Sequence, residues 1–225
     1  MKTSSLSQQL QDIFAKLAAR YGTQRWWPAD TPFEVMAGAI LTQQATWASA
    51  EKALLRINAA GALSPAGLRR LSQDELAELI HPCGCHHTKA KKLKAMADWL
   101  GRDYRDDLER LFQSGTVADL RRELLSIYGI GPETADDIIL YGARRPSFVI
   151  DNYTRRIMMR LGLRPEKDNY DAWQAFFTDN LPSDVKLYSE YHALIIQLGK
   201  FVCHARRPDC AACCLGDFCA SRSVL

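Results

Sequence analysis

The sequence predicts an all-α protein, and three observations predict it. Apolar residues recur at three- and four-residue steps along most of the 225-residue chain, sustained apolar/polar alternation is nearly absent, and short loops carrying Gly or Pro punctuate the periodic segments. A sheet has nowhere to form. Periodicity and cap residues place helices at about 5–20, 33–44, 47–59, 73–80, 88–101, 117–127, 132–142, 152–161 and 170–180. A further helix is expected after Pro182-Ser183, with Ser183 as its N-cap, carrying the stripe Val185, Leu187, Tyr188, Tyr191, Leu194, Ile195 and Leu198 on one face.

Composition narrows the class. A hydrophobic content of 47% and a charged content of 24% match an ordinary globular chain and exclude a disordered one. The sequence lacks an apolar run long enough to span a bilayer, and Met1-Lys2-Thr3-Ser4-Ser5-Leu6 is not followed by a signal-type stretch. A soluble, cytoplasmic protein with no membrane partner is expected.

The net charge is only +3, but it is unevenly spread. Between Tyr141 and Pro165 six arginines (Arg144, Arg145, Arg155, Arg156, Arg160, Arg164) meet one acid, Asp151, a local balance of +5. Lys89, Lys91, Lys92 and Lys94 form a second basic stretch. Basic stripes on a near-neutral chain suit binding to a nucleic acid backbone, and solvated helix faces account for them equally well.

Leu125-Ser126-Ile127-Tyr128-Gly129-Ile130-Gly131-Pro132-Glu133 reads as a helix, a turn with two glycines and a second helix. Pro132 suits a first helical turn, where its missing N–H has no partner to lose. Gly129 and Gly131 can bring backbone N–H groups to a phosphate at the positive end of the next helix. Such a turn serves either helix packing or a sequence-independent grip on DNA. About twenty residues on, Asp151 precedes the basic helix Asn152-Tyr153-Thr154-Arg155-Arg156. Asp151 is either an N-cap or a lone carboxylate able to stabilise positive charge developing on a sugar.

Of seven cysteines, Cys203, Cys210, Cys213 and Cys219 crowd at the spacing C-x6-C-x2-C-x5-C. Four thiolates there can hold zinc or an iron–sulfur cluster, and the wide gaps suit a cluster better than the paired C-x2-4-C of zinc sites. Cys214 falls outside the pattern. Cys83 and Cys85, in His81-Pro82-Cys83-Gly84-Cys85-His86-His87-Thr88-Lys89, are too close together for a usual chelate.

The hairpin, the following aspartate and the cysteine tail, in that order, resemble the endonuclease III superfamily of helix-hairpin-helix DNA glycosylases. Pro32-Phe33-Glu34 through Leu41-Thr42-Gln43-Gln44-Ala45-Thr46 extend the match over nearly the whole chain. Trp26-Trp27-Pro28, Leu41-Thr42-Gln43, Glu51-Lys52, Gly129-Ile130-Gly131, Glu133, Ala135-Asp136 and the Asp151 segment are most similar to the 3-methyladenine DNA glycosylase III branch.

The resemblance implies a two-lobed fold: a six-helix barrel over 30–144, with the hairpin at about 121–142, and a helical domain from 1–29 and 145–225. The latter would hold a 4Fe-4S cluster on Cys203, Cys210, Cys213 and Cys219 within the 203–219 loop. Some members of the branch are expected to lack that tail. The partner implied is double-stranded DNA containing damaged bases, met by a monomer that is nucleoid-associated when bound.

Bifunctional family members carry a lysine nucleophile in the second hairpin helix, where this chain has Glu133, and no lysine occurs between Lys94 and Lys167. A monofunctional glycosylase is expected, with AP lyase activity absent or weak. It would hydrolyse the N-glycosidic bond of flipped alkylated purines, with water as nucleophile and Asp151 stabilising the sugar cation. The resemblance puts Trp26, Trp47 and Glu133 in the base pocket and Gln44 in the gap left by the flipped base. It makes Cys85 or His86 the intercalating wedge, and Lys89, Gly129, Gly131, Arg155 and Arg156 DNA contacts. Three alternatives stand beside it: an endonuclease III-type enzyme acting on oxidised pyrimidines or mismatched T or U, a non-catalytic damaged-DNA-binding module, and a metal-tail protein that binds only proteins.

Overall fold

The computed structural model describes residues 5–24 and 26–222, and among them it contains twelve α-helices and no strand. In chain order these are α1 (Leu6–Tyr21), α2 (Pro32–Leu41), α3 (Trp47–Ala59), α4 (Pro65–Arg70), α5 (Gln73–Leu79), α6 (His86–Trp99), α7 (Leu108–Gln113), α8 (Val117–Leu125), α9 (Pro132–Asp137), α10 (Asn152–Arg160), α11 (Tyr170–Thr178) and α12 (Val185–Phe201). The all-α expectation holds. No described helix is long and apolar enough to cross a membrane.

Most starts follow from side-chain caps. Thr31 and Ser72 each form a reciprocal box with Glu34 and Glu75, and Thr46, Thr116 and Asn169 cap α3, α8 and α11. Asp184, not the expected Ser183, caps α12 by accepting the Leu187 N–H at 2.6 Å. α6 and α9 each run on into a π turn, at Leu100–Tyr104 and Ile138–Gly142.

The chain divides into two compact units, one comprising Trp27–Arg145 and the other Met1–Trp26 with Pro146–Leu225. The central unit buries one apolar core, including Phe33, Met36, Ile40, Leu93, Met96 and Ile138. In the other unit Phe148 stacks on Phe177 with ring centroids 4.0 Å apart, and Tyr191 packs against Phe14 and donates its hydroxyl to Leu10 O. α12 approaches α10 closely at Gly199, where a Cβ would lie 2.4 Å from Tyr153 Cδ1.

Candidate active site and nucleic-acid interface

The turn between α8 and α9 is held from three sides. Gly129 sits at φ +82°, left-handed backbone that favours glycine, and a Cβ there would meet Lys92 Cγ at 2.3 Å. Gly131 is different: its backbone is extended, it caps α9, and a Cβ would enter open space. Of the two glycines, the left-handed turn therefore requires Gly129 alone. Arg121 Nε reaches the fully buried Asp136 carboxylate at 3.1 Å and ties α8 to α9. Tyr128, exposed at the turn, carries Lys91 Nζ 4.6 Å above its ring. Glu133 is exposed on the first turn of α9.

Two lysines one turn apart on α6 organise the loops around that hairpin. Lys92 Nζ donates to Gln43 Oε1 at 2.5 Å, and the Gln43 amide donates in turn to Gly129 O and Thr134 Oγ1, both at 3.0 Å. Lys89 is buried, and its Nζ donates to Leu41 O at 2.9 Å and Cys83 O at 2.8 Å. Burial pushes its ammonium below the usual lysine range. Lys89 was expected to meet phosphate; the structure corrects this, because the side chain lies inside the unit and is satisfied by two carbonyls. Lys92 and Gln43 stood in the basic stretch and the Leu41-Thr42-Gln43 motif, but neither was given a role of its own from the sequence.

Neighbouring loops carry the other predicted contacts. Gln44 is exposed at φ +52°, and Cys85 is exposed at φ +47° immediately before α6. His86 is half-buried, its ring 4.9 Å from His81 and 4.6 Å from His87.

Trp47 meets Trp27 edge to face at 5.4 Å, and Trp27 also lies 5.4 Å from Tyr141. Gly38 makes this possible, since a Cβ there would sit 3.2 Å from the Trp27 ring. Within the central unit Trp27, which the resemblance did not put in the base pocket, is the aromatic partner of Trp47. Trp26 belongs to the other unit, where its carbonyl accepts the Ser189 hydroxyl at 3.3 Å.

Asp151 caps α10 and is buried. Its Oδ1 accepts the Thr154 N–H at 2.7 Å, and its Oδ2 lies 3.7 Å from Nε2 of the buried His192 on α12. Burial pushes this carboxyl upward and is the largest single influence. His192 and Thr154 together outweigh it and hold the group below the usual carboxylate range. The α10 N-terminus acts in the same direction.

The basic helix after Asp151 is occupied with structure. Arg156 donates to Gly199 O at 2.9 Å and to Cys203 O, and its guanidinium lies over the Tyr153 ring. Arg155 pairs with Asp168 at 3.3 Å. Arg145 donates to the carbonyls of 112, 114 and 115, and Arg160 to those of 204 and 205. Arg155 and Arg156 were expected to contact DNA; in the structure they are a surface ion pair and a clamp on the end of α12. Of the six arginines, Arg144 and Arg164 are exposed.

The cysteine loop closes on α10. Cys203, Cys210, Cys213 and Cys219 all line one pocket, with Arg160 and Arg222, whereas Cys214 does not line it. Arg160 Nη1 donates to Cys203 Sγ at 3.1 Å, and Cys219 Sγ donates to Arg160 O at 3.4 Å. Burial, then the neighbouring sulfurs, push the Cys213 thiol up. Among the described residues no group of three or more His, Cys, Asp or Glu side chains is arranged to hold a metal ion.

A protein of Methanocaldococcus jannaschii that carries the provisional name DNA repair glycosylase is 40% identical over 215 residues, 96% of this chain and 97% of that protein. A non-covalent endonuclease III–DNA complex has the same fold, with a TM-score of 0.83 over 100% of this chain and 98% of that one at 22% identity. The H. pylori 3-methyladenine DNA glycosylase bound to 1,N6-ethenoadenine gives a TM-score of 0.74 over 88% of this chain and 98% of that one at 25% identity. The family described as HhH-GPD superfamily base excision DNA repair protein matches residues 37–183. The chain belongs to that superfamily, as a base-excision DNA glycosylase.

Proposed function

We propose that this glycosylase hydrolyses the N-glycosidic bond of flipped alkylated purines such as 3-methyladenine in double-stranded DNA, without an AP lyase step. The observation that carries the reading is Asp151, a buried carboxylate held in its charged form, in a chain whose hairpin offers Glu133 in place of an amine nucleophile. The C1′–N bond breaks with its electron pair leaving on the purine, which neutralises a base made cationic by alkylation. Water adds to C1′ and passes a proton to Asp151. A cationic base needs little general acid assistance, and aromatic faces favour it over a neutral one by about 0.5–2 kcal/mol. Trp26 and Trp47 are proposed to supply those faces. Gln44 is proposed to enter the gap left in the duplex, Cys85 or His86 to act as wedge, and Gly131 to bring backbone close to phosphate.

The test is chromatography of bases released from dimethyl sulfate-treated duplex DNA and, in parallel, from duplex carrying oxidised pyrimidines or T/U mismatches, with Asp151→Asn beside the native chain. Release of 3-methyladenine that Asp151→Asn abolishes supports the reading; release from pyrimidine lesions alone transfers it to the endonuclease III type. Borohydride trapping on abasic DNA checks the nucleophile, since a covalent adduct excludes direct attack by water.

We also propose a 4Fe-4S cluster on Cys203, Cys210, Cys213 and Cys219. The fit rests on the four sulfurs lining one pocket, on the exclusion of Cys214, and on the Arg160 guanidinium 3.1 Å from Cys203 Sγ. Their spacing, C-x6-C-x2-C-x5-C, suits a cluster better than the paired C-x2-4-C of zinc sites. Bound there, a cluster would supply a cross-link between the loop and α10. A colourless, iron-free protein containing zinc would overturn the assignment.

A further inference from the structure

We infer that His192 is a positioning residue for Asp151: its imidazole orients the second oxygen of the buried carboxylate and keeps the group ionised for reaction. This rests on the reading of Asp151 given above. The geometry is that of a carboxylate held at both oxygens. Oδ1 takes the Thr154 N–H at 2.7 Å, and Oδ2 faces His192 Nε2 at 3.7 Å. The His192 side chain is 4% exposed and that of Asp151 11%, so water does little to solvate either. An isolated buried carboxylate would be driven to its neutral form and could not stabilise a sugar cation.

The groups around it leave His192 as the titratable partner. From α11 the Tyr170 hydroxyl accepts the N–H of Ile150, the residue before Asp151. On α10 the Arg155 guanidinium pairs with Asp168, and that of Arg156 is bonded to the Gly199 and Cys203 carbonyls. Among the described residues, His192 is the cation-forming side chain within ion-pair distance of Asp151. The approach of α12 to α10 at Gly199 keeps the two helices close enough for the contact.

The experiment compares native protein, His192→Leu and His192→Gln in two measurements. One is the pH profile of single-turnover base release from dimethyl sulfate-treated duplex. The other is carbon-13 carboxyl NMR titration of Asp151 in the DNA-free protein, with the resonance assigned by its absence in Asp151→Asn. The expected result is that the acid limb of the profile and the Asp151 titration both move to higher pH in His192→Leu, by about one to three units. His192→Gln, which keeps an N–H but no charge, should move them less. Affinity for duplex containing an abasic analogue should be unchanged.

An Asp151 titration that superposes in native and variant protein overturns the inference. If His192→Leu does not fold, the Gln variant decides by the same criterion. If Asp151→Asn still releases base, the catalytic reading fails, and the NMR titration alone reports whether His192 holds the carboxylate.

Discussion

Lys92 Nζ donates to Gln43 Oε1 at 2.5 Å, and through that amide it reaches the carbonyl of Gly129 in the α8–α9 turn. One side chain thus fixes the loop after α2 against the hairpin. Lys92→Met and Gln43→Leu should each lower stability, and the double variant should show a coupling of about 0.5–3 kcal/mol by urea denaturation. Additivity of the two would mean that the bond contributes nothing in solution.

Lys89 separates burial from phosphate contact. Lys89→Met should cost about 1–3 kcal/mol, because Leu41 O and Cys83 O lose their donor. The slope of log affinity for DNA against log salt should stay the same. A slope reduced by about 0.9 would restore the side chain to the DNA contacts.

The two hairpin glycines should behave oppositely. Gly129→Ala forces an L residue into left-handed backbone and against Lys92, and should destabilise by about 1–2 kcal/mol. Gly131→Ala meets open space and extended backbone, so thermal stability should hold while affinity for duplex DNA falls. Equal melting losses in both would remove the distinction.

Arg156→Ala should lower stability by about 1.5–3 kcal/mol through its lost bonds to the Gly199 and Cys203 carbonyls, and leave the salt slope of DNA binding intact. Fluorescence-detected titration at several salt concentrations checks the second half.

Much of the fold was legible because caps and periodicity agree, as at Asp151 before α10 and Thr46 before α3. The six-residue helices α4 and α7 were missed, since about one and a half turns show no periodicity. The charge run misled at Lys89, which lies on a buried face. Lys89 stands four residues before Leu93 on the apolar side of α6, a signal present in the sequence and outweighed by the run of lysines around it. His192 was legible in the same way, as a polar residue inside the buried stripe of α12. Its partner was not, because Asp151 is 41 residues away and only the packing of α10 on α12 brings them together. The Lys92–Gln43–Gly129 chain is equally non-local, and spacing carries no trace of it.

The division of the chain also dictates an order of assembly. The central unit is one continuous segment, so every contact in its core can form as soon as the chain has been synthesised through Arg145. The other unit must wait, because α1 needs α12: the Tyr191 hydroxyl bonds Leu10 O across 181 residues. An open tether of that length is costly to close, each doubling adding about 0.6 kcal/mol, and a compact central unit shortens it before α12 arrives. Folding should therefore be biphasic, with the tryptophan environment around Trp27 and Trp47 maturing before that of Trp173.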